Sequence, residues 1–389
     1  IAMSAVLEKA PPFKTVMGFA TLFGEDGRPM HKSWGNAIEF NEGAEKIGAD
    51  PMRWTFTRQD PAANLNFGYG AADKIKKEFL LIFWNCYKFF IDYASADQTN
   101  LENIGFTKVE NLSVLDKWII SRLNRLVKSV TENLDQYNHS AAALAIEDFV
   151  VNDFSTWYIR RSRDRIGPAA SAGPDKNSFY ETSYLVFLSL LRLMAPIVPF
   201  LTEEIYQNLA QRTSDRKESV HLENWPNVYE ERISGELEEK MILVSQVCAL
   251  GNAARKESSI KVRQPLKKLK IQSEGLKAAE AGLVDLIKDE LNIREAELVS
   301  KIDEESGWLV KKGADLAISL DTEITPQLRE EGQVRDLLRF VQEQRKVLGL
   351  KPGEKIEITY AWSLGAKDLF LANQGLFARE AFVEKAEPK

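Results

Sequence analysis

Residues 115–134 read LDKWIISRLNRLVKSVTENL, and their apolar side chains recur at the spacing of an α-helix. The apolar positions are Leu115, Trp118, Ile119, Leu123, Leu126, Val127, Val130 and Leu134. A second amphipathic run begins near Ser140, a good N-cap, and continues through Ile146, Phe149, Val150, Phe154, Trp157 and Tyr158. Two such helices in succession predict an antiparallel helical bundle.

Further helices are predicted on both sides of this pair. Residues 71–93 are apolar on more than one stripe, which indicates a mostly buried helix. Other predicted helices cover residues 40–47, 50–58, 178–195, 202–211 and 230–257. The two prolines Pro196 and Pro199 separate two of these helices, because a proline cannot continue a helix from its interior.

The two ends of the chain have a different pattern. Residues 13–23 alternate and predict a strand, followed by a turn. From Leu266 onward, short strand candidates at 269–271, 296–299, 309–310, 316–320 and 356–360 are mixed with helices near 277–290 and 326–348. This mixture predicts a small α+β module. The polar residues 97–111 indicate a boundary before the bundle.

The composition is that of an ordinary globular protein, with 44% hydrophobic and 28% charged residues. No apolar run is long enough to span a membrane. Two distant cysteines exclude a disulfide framework and a Cys-x-x-Cys metal site, which favours a reducing, cytoplasmic location. Because Ile1 is not a methionine and residues 1–9 already have a helical pattern, we expect a piece of a longer protein.

A net charge of −6 argues weakly against nucleic acid as a partner, but local patches decide such binding. Arg160, Arg161, Arg163 and Arg165 lie within six residues, and a second basic run occupies 255–270. Aromatic residues precede the first run and could stack on unpaired bases. In an amphipathic helix, however, Phe154 and Trp157 are better explained as core residues.

Residues 27–36, here called the Lys-Ser loop, read GRPMHKSWGN. Lys32 supplies a mobile charge, Ser33 a hydroxyl, and the helix expected to follow a partial positive charge at its N-terminus. This combination is typical of a phosphate-binding loop, although an ordinary surface turn fits the same residues. Asn36 is expected to cap the segment that follows.

The chain resembles the C-terminal part of the isoleucyl-tRNA synthetase family, a class Ia aminoacyl-tRNA synthetase family. Four blocks carry the resemblance: the Lys-Ser loop with the Gly-Ala-Asp block at 48–50, then 115–123, 152–163 and 195–203. The isoleucyl type is indicated by Arg255 with 261–266, and by 324–332 with Arg335, Arg339 and Gln342. Pro29 and His31 depart from the loop pattern of the family, which has a lysine and a serine there.

The resemblance implies a mainly α chain in three parts. Residues 1–95 would end a class I Rossmann-type catalytic domain, 96–265 would form the antiparallel anticodon-binding bundle, and 266–389 the small α+β module. ATP would be bound by Met30, His31, Lys32 and Ser33, with Lys32 and Ser33 catalytic. The RNA contacts implied for tRNA(Ile) are Tyr158, Arg160, Arg161, Arg163 and Arg165.

The same resemblance implies Mg²⁺ with ATP in the whole enzyme, an isoleucine pocket outside this sequence, no zinc site, no membrane and a monomer. The paired-histidine ATP motif of the family is missing, so we expect this segment alone to be inactive. Two alternatives remain open at this point: another class Ia ligase, for valine, or a tRNA-binding module without catalysis. Lys32 and Ser33 argue against the pure binding module, which needs no pyrophosphate clamp.

Overall fold

The computed structural model describes residues 1–99, 112–210, 217–276, 281–303, 306–360 and 364–388. Within these ranges the chain is mainly helical with three small sheets, which confirms the predicted fold class. Most of the boundary predicted at 97–111 and the first residues of the helix predicted near 277–290 lie outside the described residues. No helix in the described ranges is long and apolar enough to cross a membrane.

The N-terminal part consists of short elements around the Lys-Ser loop. They are α1 (Ala2–Leu7), β1 (Leu22–Phe23), α2 (Phe40–Lys46), α3 (Ala49–Thr57), β2 (Leu65–Asn66) and α4 (Tyr69–Ile75). Strands β1 and β2 pair in parallel. The strand predicted over 13–23 is wrong except for its last two residues. Its apolar side chains lie in solvent, as the 84% exposure of Phe19 shows, and a strand forms only where a neighbour completes its hydrogen bonds.

The helical bundle follows the predicted order. Helix α4 continues through a π-helical turn at Lys76–Leu80 into α5 (Leu81–Ala96). The remaining bundle helices are α6 (Val114–Asp135), α7 (His139–Asp148), α8 (Pro174–Met194), α9 (Pro199–Ala210) and α10 (Gly235–Glu257). Helix α6 begins with a capping box between Ser113 and Asp116, and its predicted apolar face is buried.

Helix α7 passes directly into a wider, π-helical segment at Phe149–Ile159. The rings of Phe149, Phe154, Tyr158 and Phe179 lie almost parallel in one column, with successive centroids 6.4, 5.9 and 5.7 Å apart. Phe154 is fully buried and Trp157 is partly buried against the same core. Both aromatic side chains are therefore core residues, as predicted.

A four-stranded sheet packs against α10. Its elements are β3 (Leu266–Ser273), α11 (Ala281–Leu291), β4 (Ile293–Leu298), β5 (Trp308–Lys312) and β6 (Leu316–Asp321), with strand order β4-β3-β6-β5. Strands β3 and β4 are parallel and are joined by α11, whereas β6 is antiparallel to both of its neighbours. One hydrophobic core runs from Trp54 through the bundle to Leu320, so bundle and sheet are packed together.

The last part of the described chain has a small core of its own. It contains α12 (Pro326–Val347), β7 (Ile356–Tyr360), α13 (Leu364–Ala372), α14 (Gln374–Glu380) and β8 (Val383–Pro388). Strands β7 and β8 pair in parallel. The core of this part includes Val334, Val341, Phe370, Phe377 and Val383. The strand β8 and the two short helices before it were not predicted, because their apolar patterns are brief.

Candidate functional site

Hydrogen bonds within the Lys-Ser loop and to strand β1 hold the loop in place. The Met30 N–H donates to the Leu22 carbonyl at 3.0 Å, which closes a short hairpin. Asn36 spans the loop: its amide donates to the Pro29 carbonyl at 3.1 Å, and its Oδ1 accepts from the His31 N–H at 2.9 Å. The expectation that Asn36 caps the next segment is wrong, because both ends of its side chain are used within the loop.

The tip of the loop presents the predicted chemical groups to solvent. His31, Lys32 and Ser33 are exposed, and Lys32–Trp34 form one turn of 3-10 helix that ends at Gly35 with φ of 70°. That positive φ favours glycine, since other residues adopt it only with strain. Consecutive residues of one exposed turn therefore present an ammonium and a hydroxyl to solvent.

Met30, which was expected to bind ATP, serves as an anchor in this structure. Its side chain is partly buried against a small core formed by Ile47, Phe67 and Ala72. Met52 of α3 packs against the same core. The loop and α3 thus share one small apolar core, while His31, Lys32 and Ser33 remain accessible.

The helix predicted over residues 40–47 forms, but its N-terminus offers no free positive charge to the Lys-Ser loop. Helix α2 begins only at Phe40, and the carboxylate of Glu39 accepts from the N–H groups of Asn41 at 2.8 Å and Glu42 at 3.2 Å. The partial positive charge of this helix end is therefore neutralised by its own capping residue. Any phosphate at the loop must be bound by side chains and loop amides.

The first two predicted RNA contacts share one acidic partner. Arg160 donates to Glu290 at 3.1 Å and its side chain is 47% exposed. Arg161 pairs with the other oxygen of Glu290 at 2.8 Å and is largely buried. Arg163 is exposed, and its guanidinium lies 5.7 Å from the centroid of the Phe89 ring. Arg160 and Arg163 are therefore the arginines of this run that a polyanion can reach.

Tyr158 and Arg165 must be corrected as RNA contacts, because both are committed to a buried network. The Tyr158 hydroxyl donates to Asp116 at 2.7 Å, and Arg165 donates to the same carboxylate at 2.6 and 3.0 Å. Tyr158 and Asp116 are both 0% exposed. Burial and the nearby negative charge of Asp116 raise the pKa of Tyr158 well above its usual range. These residues hold helix ends together.

The second basic run is also split by burial. Arg255 is buried and donates to four backbone carbonyls, those of Lys261, Gln264, Leu291 and Asn292. Burial lowers its pKa to about 10. Arg255 therefore fixes the turn before β3 to the turn before β4, and only exposed cations such as Lys261 and Lys267 remain available to a partner.

Glu290 is the site residue that sequence reasoning missed. It is buried, and it lies on α11, about 130 residues from the arginines that it pairs with. It lies in a stretch rich in acidic residues, 285–305, but nothing in the sequence indicated which carboxylate meets which arginine.

Metal ligation has no candidate in the described part of the chain. No group of three or more His, Cys, Asp or Glu side chains there is placed to hold a metal ion. The Mg²⁺ implied with ATP therefore has no ligand assigned among these residues.

Two family models match separate parts of the chain. A family model described as the anticodon-binding domain of tRNA ligase matches residues 116–271. A second model, tRNA synthetases class I (I, L, M and V), matches residues 1–68. The Lys-Ser loop lies within the second match, and Arg160 and Arg163 lie within the first.

Relatives match nearly the whole chain. The isoleucine–tRNA ligase of Clostridium novyi (strain NT) is 32% identical over 93% of this chain and 41% of the relative. That of Pyrococcus horikoshii is 30% identical over 97% of this chain and 41% of the relative. Among solved structures, Agrobacterium radiobacter K84 agnB2 LeuRS, in a ternary complex with tRNA and LeuAMS, covers 56% of this chain and 24% of that one, with a TM-score of 0.40 and 19% identity.

The chain thus spans about two fifths of the length of the relatives quoted above. The resemblance inferred from the sequence is confirmed: the chain belongs to the class I tRNA synthetase family, and the relatives that it matches are isoleucine–tRNA ligases.

Proposed function

We propose that this chain is the C-terminal part of an isoleucine–tRNA ligase, which charges tRNA(Ile) in an ATP-dependent reaction. One observation carries the proposal: the Lys-Ser loop and the exposed Arg160 and Arg163 lie in two segments that match the family models in the family's order. The first segment would act on ATP, and the second would bind tRNA.

Lys32 and Ser33 are the proposed catalytic residues of this part. Amino-acid activation is an in-line attack of a carboxylate on the α-phosphorus of ATP, and pyrophosphate leaves. Catalysis of such transfers depends on positioning and charge stabilisation. The exposed ammonium of Lys32 would clamp the departing pyrophosphate, and the Ser33 hydroxyl would help to orient it. Loss of one preorganised donor costs roughly 3–4 kcal/mol, which is about a hundred- to a thousandfold in rate.

This part alone is not proposed to form the adenylate. The three histidines of the chain are His31, His139 and His221. The Nδ1 atom of His139 lies 2.7 Å from the Thr57 carbonyl, within the packing of α7 on α3. These histidines lie far apart in sequence, so the paired-histidine ATP motif of the family is missing, and the isoleucine pocket is proposed to lie outside this sequence.

Arg160 and Arg163 are the proposed tRNA contacts. Guanidinium groups bind phosphates in two-point geometry and also stack on bases. The Glu290 carboxylate fixes Arg160 at the surface, and the Phe89 ring supports Arg163. Both cations are therefore held in place before RNA binds, which lowers the entropy cost of the contact.

The test is tRNA binding by the chain and its Arg160→Gln and Arg163→Gln variants. Each variant should bind a tRNA(Ile) transcript more weakly, and each should reduce the slope of log K against log salt by about one, since one phosphate contact is lost. Arg379→Gln is the matched control, because it removes an exposed arginine elsewhere. Wild-type affinity and salt slope in both test variants would contradict the assigned contacts.

A further inference from the structure

Helix α3 carries two charged residues that meet the break between α8 and α9. The Asp50 carboxylate accepts from the N–H of Leu201 at 2.7 Å and lies 3.4 Å from that of Phe200. Arg53 donates from Nε to the Ile197 carbonyl at 2.7 Å and from Nη2 to the Pro196 carbonyl at 2.9 Å. About 150 residues of sequence separate the two sides of these contacts.

The signs of these charges fit the two helix ends. Helix α9 begins at Pro199, and the residue before it, Val198, has no side-chain acceptor to cap it. The carboxylate of Asp50 caps it instead, at the positive end of the helix dipole. Arg53 binds carbonyls just after α8 ends at Met194, where the dipole is negative. The two residues are three positions apart, so they lie on one face of α3.

The other faces of α3 connect to the Lys-Ser loop and to the bundle. Met52 shares a small core with Met30 of the loop. Trp54 is fully buried, and its indole N–H donates to Glu147 of α7 at 2.6 Å. Where α3 ends, the hydroxyl of Ser140 donates to the Arg58 carbonyl at 2.8 Å. One short helix thus contacts the loop core, α7 and the α8–α9 break.

We propose that Asp50 and Arg53 are positioning residues that transmit tRNA binding on the bundle to the Lys-Ser loop. The proposal rests on the proposed function, since it needs the bundle to bind tRNA. RNA contact that steadies the bundle fixes the α8–α9 break. The hydrogen bonds of Asp50 and Arg53 to this break, here called the α3 clamp, then fix α3. The core that Met52 shares with Met30 in turn restrains the loop. A loop held in this way presents Lys32 and Ser33 in one orientation when tRNA is bound.

Hydrogen exchange at the amides of residues 27–36 tests this link. The chain is measured free and saturated with a tRNA(Ile) transcript, as wild type, as Arg53→Gln and as Asp50→Ala with Arg53→Gln. In the wild type, tRNA should slow exchange of the loop about fivefold or more, the lower end of usual coupling between sites. Both variants should bind the transcript with wild-type affinity but lose most of the slowing.

Three controls separate this role from a merely structural one. Asp50→Asn should retain most of the response, because an asparagine side chain also caps a helix. Glu45→Gln removes an exposed carboxylate of α2 and should change nothing. Exchange in the core of α6 should stay slow in every variant, which shows that the fold is intact. If the double variant unfolds, Arg53→Gln carries the test, since Arg53 is exposed.

The outcomes are distinct. If tRNA still slows hydrogen exchange of the loop in Arg53→Gln and in the double variant, the proposed role of the α3 clamp is overturned. Binding of tRNA by the wild type without any slowing of the loop also overturns it, while the proposed function stands. If the wild-type chain binds no tRNA, the proposed function fails for this part, and the clamp fails with it.

Discussion

Three helix segments meet at the buried carboxylate of Asp116. It accepts hydrogen bonds from Tyr158 at 2.7 Å, from Arg165 at 2.6 Å and from Ser178 at 3.1 Å. Removal of one member of a buried ion pair leaves the other charge without compensation, which usually costs more than the pair itself contributes. Asp116 therefore stabilises the fold mainly because it compensates the buried charge of Arg165.

Asp116→Asn is expected to lower the free energy of unfolding by about 3–5 kcal/mol, because the Arg165 charge stays buried. Urea denaturation measures the change. Asp175→Asn is the matched control: Asp175 also pairs with Arg165, at 2.9 Å, but its side chain is 60% exposed. The control should cost less than about 1 kcal/mol. Equal losses in the two variants would contradict this account.

Whether a given arginine is exposed could not be read from the sequence. Arg160, Arg161, Arg163 and Arg165 are near neighbours in the chain, yet only Arg160 and Arg163 are open to solvent. Their partners Asp116 and Glu290 lie on distant helices. The sequence showed that these arginines are clustered, but their ion pairs in the folded chain decide which of them can contact a partner.

The predicted helices were found because their apolar spacing is a local property. The capping box at Ser113 and Pro199 at the start of α9 also fixed helix ends close to their predicted places. The π-helical segment Phe149–Ile159 was not predicted, and there the Thr156 hydroxyl donates to the Val151 carbonyl five residues back. This wider turn changes which residues share a face, and Tyr158 is buried within it.

The same π-helical segment carries a carboxylate with a shifted pKa. Asp153 accepts from Arg122 of α6 at 2.8 Å, and burial raises its pKa to about 6. The Arg122 charge opposes this shift but does not cancel it. In the folded chain the carboxyl group therefore binds its proton more tightly than in the unfolded chain.

We expect the contribution of Asp153 to the free energy of unfolding to be fully present below about pH 4, the pKa of an unperturbed aspartate. It is lost as the pH rises through about 6. The full change is on the order of 2–3 kcal/mol, at about 1.4 kcal/mol for each unit of pKa. Urea denaturation from pH 4 to 7, compared with Asp153→Asn, isolates this contribution. Identical pH profiles for the two proteins would rule it out.

In the whole molecule, the Lys-Ser loop and the exposed arginines Arg160 and Arg163 lie on different elements, which α3 and the main hydrophobic core connect. The main core runs from Trp54 to Leu320, and the Lys-Ser loop is attached to it through α3. Arg255 links the turns before β3 and β4 to the end of α10, so the sheet is held against the bundle. The Lys-Ser loop and the exposed Arg160 and Arg163 therefore belong to one packed structure.

The order of these parts could be predicted from sequence, since the blocks at 115–123 and 152–163 are local and distinctive. The contacts between these parts could not be predicted from sequence. The link from Asp50 and Arg53 to the α8–α9 break joins two of the quoted blocks, but only the folded chain shows that they touch.

We propose that this chain is the tRNA-reading part of an isoleucine–tRNA ligase. Direct binding to isoleucine, valine and leucine tRNA transcripts at near-physiological and at raised salt tests it. We expect preferential binding to the isoleucine transcript, and loss of that preference when its anticodon is changed. Equal and steeply salt-dependent binding to all three transcripts would indicate attraction to phosphates alone and would exclude anticodon reading by this chain.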